Sequence, residues 1–104
     1  MSETAPDRVV ELKRSLRTVI DPELGENIVD LGMIYDVAVD NGSARIVMTT
    51  TTPGCPAASL LKDAVRRLAA TVPGIVEVDV CLTYEPPWRP EMINDVARHR
   101  LGIT

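Results

Sequence analysis

The sequence predicts an α+β domain, a small mixed three-stranded sheet with helices packed mainly on one face, in the order α-β-β-α-β-α. Three observations carry this. Apolar residues recur at helical spacing in Val9, Leu12, Leu16 and Val19, and again in Ala57, Leu61, Ala64, Val65, Leu68 and Val72. They alternate with polar ones in Val76, Val78, Val80 and Leu82. Between these segments lies Asp40-Asn41-Gly42, whose Asn-Gly step is a strong hairpin signal.

The first helix is expected to start near Thr4. Thr4 and Asp7 resemble a capping pair, and Pro6 is tolerated in a first turn. Pro22 stops the helix, because the residue before a proline is biased to an extended form. The segment from Asp21 to Asn27 then reads as a loop. Tyr35, Val37 and Val39 alternate with Asp36, Ala38 and Asp40 in the first strand, and Ala44 to Thr50, dense in β-branched residues, forms the return strand. Pro53-Gly54-Cys55-Pro56 is a turn that opens the second helix, expected from Pro56 to Thr71 and ended by Pro73-Gly74. The third strand carries Val76, Val78, Val80 and Leu82 inward. Its link to the second strand runs through a helix, so the two are expected to be parallel with a right-handed crossover. Pro86-Pro87-Trp88 breaks this strand, and a short last helix follows from Pro90, with Met92, Ile93, Val96 and Ala97 apolar.

The length of 104 residues suits one domain spanning 1–104. There is no Phe and the chain has two Tyr and one Trp, so the core must be aliphatic. A net charge of −4 with so few stacking residues argues against nucleic acid, and against an anionic membrane surface, as a partner. No apolar run approaches the roughly 20 residues that span a bilayer. The acidic start, Met1 to Asp7, lacks the features of a signal peptide, so a cytoplasmic protein is expected. The two cysteines are then expected to be reduced, and the spacing of Cys55 and Cys81 matches no zinc motif.

Cys55 stands out by its position. A thiol at the start of a helix meets the positive end of the helix dipole and free backbone N–H groups, and both favour the thiolate that attacks or binds metal. Gly54 lets backbone approach a ligand closely. The alternative is a small buried apolar residue. Thr51 and Thr52 can offer hydroxyls to whatever Cys55 holds, and Thr52 is also placed to cap the helix. Thr49 and Thr50 read as strand residues. Asp21 and Glu23 flank Pro22, which suits either turn chemistry or a metal-supporting or proton-handling pair. Cys81 falls on the strand face opposite the valines, beside Glu77 and Asp79, where a structural or interface role is expected. His99 reads as a surface residue, Trp88 as a packing lid, and Met33 and Met48 as core.

Taken together, Asp21-Pro22-Glu23-Leu24, Ile28-Val29-Asp30-Leu31-Gly32-Met33-Ile34-Tyr35, Thr51-Thr52-Pro53-Gly54-Cys55-Pro56 and Pro86-Pro87-Trp88 resemble the SufT/PaaD-like family, also called domain of unknown function 59 or the metal–sulfur cluster biosynthesis family. The resemblance runs from about Val9 to Ile103. It implies a role in iron–sulfur cluster assembly or the maturation of iron–sulfur proteins. The chain would act as a transient carrier of a cluster or iron, or as an adaptor to client apo-proteins and the assembly machinery. It also implies that Cys55 is the metal-binding residue, that Asp21, Glu23, Thr51 and Thr52 complete one pocket with it, and that the chain is not an enzyme. The sequence has neither the cysteine-rich C-terminal extension of the phenylacetate-pathway branch nor a GxxxxGK[ST] phosphate loop, so a stand-alone SufT-like factor is expected. Clusters usually take four thiolates, and the chain has two cysteines far apart in sequence, so a homo-oligomer giving one Cys55 per chain is expected. Two other readings remain at this point. One is a thiol enzyme, since Thr52 to Cys55 has the Thr-x-x-Cys spacing of thiol peroxidases. The other is an interaction module that holds no metal.

Overall fold

A computed structural model describes residues 6–103. Among these residues the elements are α1 (Pro6–Leu16), β1 (Ile34–Asp40), β2 (Ser43–Met48), α2 (Ala58–Ala70), β3 (Glu77–Leu82), a 3₁₀ turn at Pro90–Met92 and α3 (Asp95–Leu101). The expected order and the mixed α+β architecture are present. The sheet runs β1-β2-β3, antiparallel between β1 and β2 and parallel between β2 and β3.

The hairpin turns on Asn41 (φ 52°) and Gly42 (φ 80°), the positive dihedrals that match the right-handed twist of its strands. Its register sets Val37 against Ile46 and Val39 against Ala44, and the parallel register continues the same face with Val78 and Val80. α1 packs on β1, α2 on β3, and the two helices on each other. The core they close is aliphatic, with Leu12, Leu16, Ile28, Leu31, Ile46 and Val65 fully buried and Met33 and Met48 among them. On the other face of the sheet Asp36, Asp40, Ser43, Arg45, Glu77 and Asp79 are exposed, and Cys81 is half-buried on that same face, opposite the valines.

Several boundaries differ from expectation. α1 stops at Leu16, well before Pro22, because the chain bends at Arg17–Thr18 to bring Ile20 into a bridge with Asn27. The capping pair expected from Thr4 lies outside the described residues. β2 ends at Met48, although Thr49 and Thr50 beyond it are buried. Val76 precedes β3 and is 79% exposed, since the chain turns through Gly74 and joins the hairpin by donating its N–H to Gly42.

The C-terminal segment folds back on the loop before β1. Trp88 Nε1 donates to the carbonyl of Leu31 (2.7 Å), and Tyr35 Oη donates to that of Pro86 (2.8 Å). Gly32 holds φ +78°, and a Cβ there would clash with the Met92 carbonyl oxygen. Two sequence motifs, one around Leu31-Gly32-Met33 and one around Pro86-Pro87-Trp88, are therefore the two halves of one docking contact. Trp88 is the half-buried lid expected of it.

Candidate functional site

The loop after α1 is closed by its own backbone. Asp21 N–H donates to the Glu26 carbonyl (2.9 Å) and Gly25 N–H to the Asp21 carbonyl (2.8 Å). The Asp21 carboxylate is buried and accepts from the N–H of Leu24 at 2.9 Å. This is the turn chemistry open to an aspartate before Pro22. It leaves Pro22 and Glu23 exposed at the tip.

The second motif is a tight turn. Cys55 N–H donates to the Thr52 carbonyl at 3.3 Å, with Pro53 and Gly54 between them. Proline suits the first central position of such a turn, and the positive φ of Gly54, 79°, is what a type II turn requires at the second. The Thr50 hydroxyl donates to the same Thr52 carbonyl at 2.8 Å and lies 3.1 Å from the Tyr84 hydroxyl, so the turn is anchored from below. Cys55 is 8% exposed. α2 does not begin beside it. Its carbonyl accepts from the N–H of Ala58, the cap residue is Ala57, and the helix starts at Ala58. The thiol therefore precedes the helix by a turn and is not at its first residue. No side chain caps α2, so Thr52 does not serve as its cap.

The two loops meet at one contact: Thr51 Oγ1 donates to Glu23 Oε1 at 2.8 Å. Of the five residues singled out from sequence, Glu23 and Thr51 touch, Cys55 ends the turn that begins at Thr52, the residue after Thr51, and Asp21 buttresses the loop that carries Glu23. Thr52 is exposed, and its hydroxyl makes no hydrogen bond to Cys55 or to any other described residue. No three of the His, Cys, Asp and Glu side chains among the described residues are grouped to hold a metal ion. Cys55 could supply one thiolate to a metal, and the remaining ligands would come from outside this chain.

Beside the site, Val19, Ile20 and Pro22 form one wall of an open apolar groove of about 390 Å³, and Leu60, Leu61, Ala64 and Leu68 form the other.

Sequence reasoning missed the polar cluster built on Asp30. Its carboxylate is buried and accepts from Asn27 Nδ2 (2.9 Å), Asn94 Nδ2 (2.9 Å), Arg100 Nη2 (2.9 Å) and Arg17 Nε (3.3 Å). Burial pushes the Asp30 carboxyl up, but the donated hydrogen bonds outweigh it and hold the group below its ordinary value. Arg100 also grips Glu26 with two bonds, Nε at 3.0 Å and Nη2 at 2.6 Å, which lowers the Glu26 carboxyl and raises the guanidinium. A carboxylate standing between Val29 and Leu31 was the available signal, since a charge inside an apolar run needs partners.

Residues 10–80 match the model of a family described as iron–sulfur cluster assembly protein. The chain belongs to that family. It is similar to an Fe–S protein maturation auxiliary factor of Porphyromonas gingivalis, 42% identical over 89% of this chain and 90% of that protein. It is also similar to the Fe–S protein maturation auxiliary factor SufT of Staphylococcus aureus, 40% identical over 83% of this chain and 99% of that one. The fold matches a crystal structure of a domain of unknown function 59 from Bacillus anthracis with a TM-score of 0.88 and 40% identity, over 95% of each chain.

Proposed function

We propose that this chain is a maturation factor for iron–sulfur proteins, working in the cytoplasm without turnover chemistry of its own. It would hand iron or a cluster to client apo-proteins through Cys55. The observation that carries the reading is the bond between Thr51 and Glu23, which joins the two loops that family resemblance marks, one turn from the only thiol in that region. Cys55 would act as one thiolate ligand to the cargo. Glu23 and Thr51 would hold the turn in place around it, and Asp21 would fix the loop that carries Glu23.

The chemistry of the donor set supports transfer more than storage. A cluster takes several thiolates, and one chain offers a single cysteine here. The others would come from a second copy of the chain or from the client itself. Ligation completed by the recipient makes release easy, which suits a factor that passes its cargo on.

Anaerobic reconstitution tests this. Wild type, Cys55→Ser and Cys81→Ser are each given iron and sulfide, then scored for bound iron, sedimentation and transfer to an apo-protein. Cys55→Ser should fold normally, since Ser is accepted in turns, and should lose bound iron and transfer. Cys81→Ser should be milder in both. Equal loss in the two variants would mean that both thiols bind. No iron on wild type, with maturation still dependent on Cys55, would replace the carrier with an adaptor. Iron binding and maturation by Cys55→Ser at wild-type levels would end the reading.

A further inference from the structure

α2 carries two parallel stripes with different chemistry. Leu60, Leu61, Ala64 and Leu68 line the apolar groove described above, while Ser59, Lys62, Asp63 and Arg66 line a neighbouring hollow of about 410 Å³. Leu60 is the ridge between them and is 74% exposed; across the groove Ile20 is 51% exposed. Large aliphatic side chains left in water on both lips of one groove mark a place that something covers. At its end the groove reaches Pro22, next to Glu23, and Ala57, two residues from Cys55.

We propose that this groove docks an amphipathic, acidic segment of a client protein, its aliphatic side chains between Ile20 and Leu60 and its carboxylates over Lys62 and Arg66, so that client cysteines are delivered to Cys55. The inference rests on the maturation reading and names the kind of partner that site receives.

Three observations choose this occupant. A small polar molecule would need convergent hydrogen-bonding groups, and the polar side chain of the groove, Thr18, already donates to the Ser15 carbonyl at 2.7 Å. The charge of the second stripe is positive on a chain whose net charge is −4. Arg67 occupies Asp63 at 2.8 Å, and neither Lys62 nor Arg66 has an ion-pair partner among the described residues. Lys62 and Arg66 also stand four apart on one helix, where like charges repel, so the helix alone does not account for them. Finally, a second copy of this chain seated symmetrically on the groove would set these cations against themselves, which opposes association. An acidic partner turns the same cations into attraction.

The test uses metal-free full-length protein and a fluorescently labelled synthetic helical peptide with leucines on one face and glutamates on the other. A control peptide carries lysines in place of the glutamates. Anisotropy should show the acidic peptide binding about tenfold more tightly than the basic one, with the preference shrinking as salt rises. Leu60→Ser, at an exposed position that folding does not need, should weaken binding by about tenfold. The double change Lys62→Glu with Arg66→Glu should reverse the preference. Equal binding of the two peptides, or binding indifferent to Leu60→Ser, overturns the proposal. So does sedimentation in which wild type is a dimer that Leu60→Ser dissociates, since the groove would then be covered by a second copy. Iron binding is scored on separate samples, so a failure at Cys55 and a failure at the groove read out differently.

Discussion

Two polar clusters grow from the same loop, residues 21–30, and they differ in how completely their hydrogen bonds are spent. At one end Asp30 is buried and accepts from four side chains, two of them arginines that reach it from α1's end and from α3. At the other end Glu23 is exposed and accepts from one hydroxyl, while Thr52 and the Cys55 thiol accept or donate nothing through their side chains among the described residues. A buried charge must be fully paired to be tolerated, so the Asp30 cluster is what the fold requires. Exposed groups with unused bonding capacity, Glu23 and Thr52 here, are what a ligand requires, and the buried Cys55 thiol would be reached when its turn opens. The difference separates scaffold from site without any appeal to motif.

The largest effect should come from breaking the scaffold end. Asp30→Ala leaves Asn27, Asn94, Arg17 and Arg100 without their common acceptor and should cost about 3 kcal/mol in urea unfolding, the lower end for losing one member of a buried ionic cluster because both arginines are half-exposed. Glu23→Ala should cost less than about 1 kcal/mol, as exposed pairs do. Similar costs for the two would erase the comparison. Next comes Gly32→Ala, expected to lose about 2 kcal/mol from a strained positive φ and a clash with Met92. Trp88, the single tryptophan, would report by fluorescence that the C-terminal segment has lifted.

Acid should probe the same contrast. Asp30 and Glu26 are both held below their ordinary values of 3.8 and 4.5 in the folded chain. Their contribution is therefore fully present above those values and is lost as pH falls through the lower folded values. The melting temperature should be flat from pH 7 to about 5 and drop below about 4. Asp30→Asn should flatten part of that drop. An acid limb indifferent to Asp30→Asn would place the acid sensitivity elsewhere.

How much of this was legible depends on the range of the interaction. The hairpin, the three strands and the two long helices follow from periods of two and 3.6 and from an Asn-Gly turn, which are local signals. The turn from Thr52 to Cys55 is equally local, because Pro53-Gly54 specifies it. What escaped were partners distant in sequence: Arg100 reads as one charge in Arg98-His99-Arg100, and nothing near it announces Asp30, 70 residues away. The start of α2 escaped for a subtler reason. Pro56 is compatible with a first helical turn, but Ala57 offers no side-chain cap, and the chain spends Pro56 and Ala57 on a turn before the helix begins. Asp21 and Glu23 looked like a pair in sequence and are not one in space, because a buried carboxylate satisfied by its own turn and an exposed one facing Thr51 do different work.

The smallest effect is the most informative about the site end. Thr51→Val keeps the shape of the side chain and removes the hydroxyl that donates to Glu23. The pair is exposed, so stability should change by less than about 1 kcal/mol. Its consequence should appear in the thiol. Cys55 is 8% exposed, and the turn that carries it is tied to the neighbouring loop through Thr51. A tie worth about 0.5–1 kcal/mol corresponds to a two- to fivefold change in how often the turn opens. In a Cys81→Ser background, which leaves one thiol, the rate of labelling by an aromatic disulfide should therefore rise about two- to fivefold in Thr51→Val. Glu23→Gln, which leaves an acceptor for the hydroxyl, should raise it less. A rate that does not move in Thr51→Val would mean that packing beneath the turn, through Thr50 and Tyr84, is what shields Cys55, and the link between the two loops would lose its role in guarding the thiol.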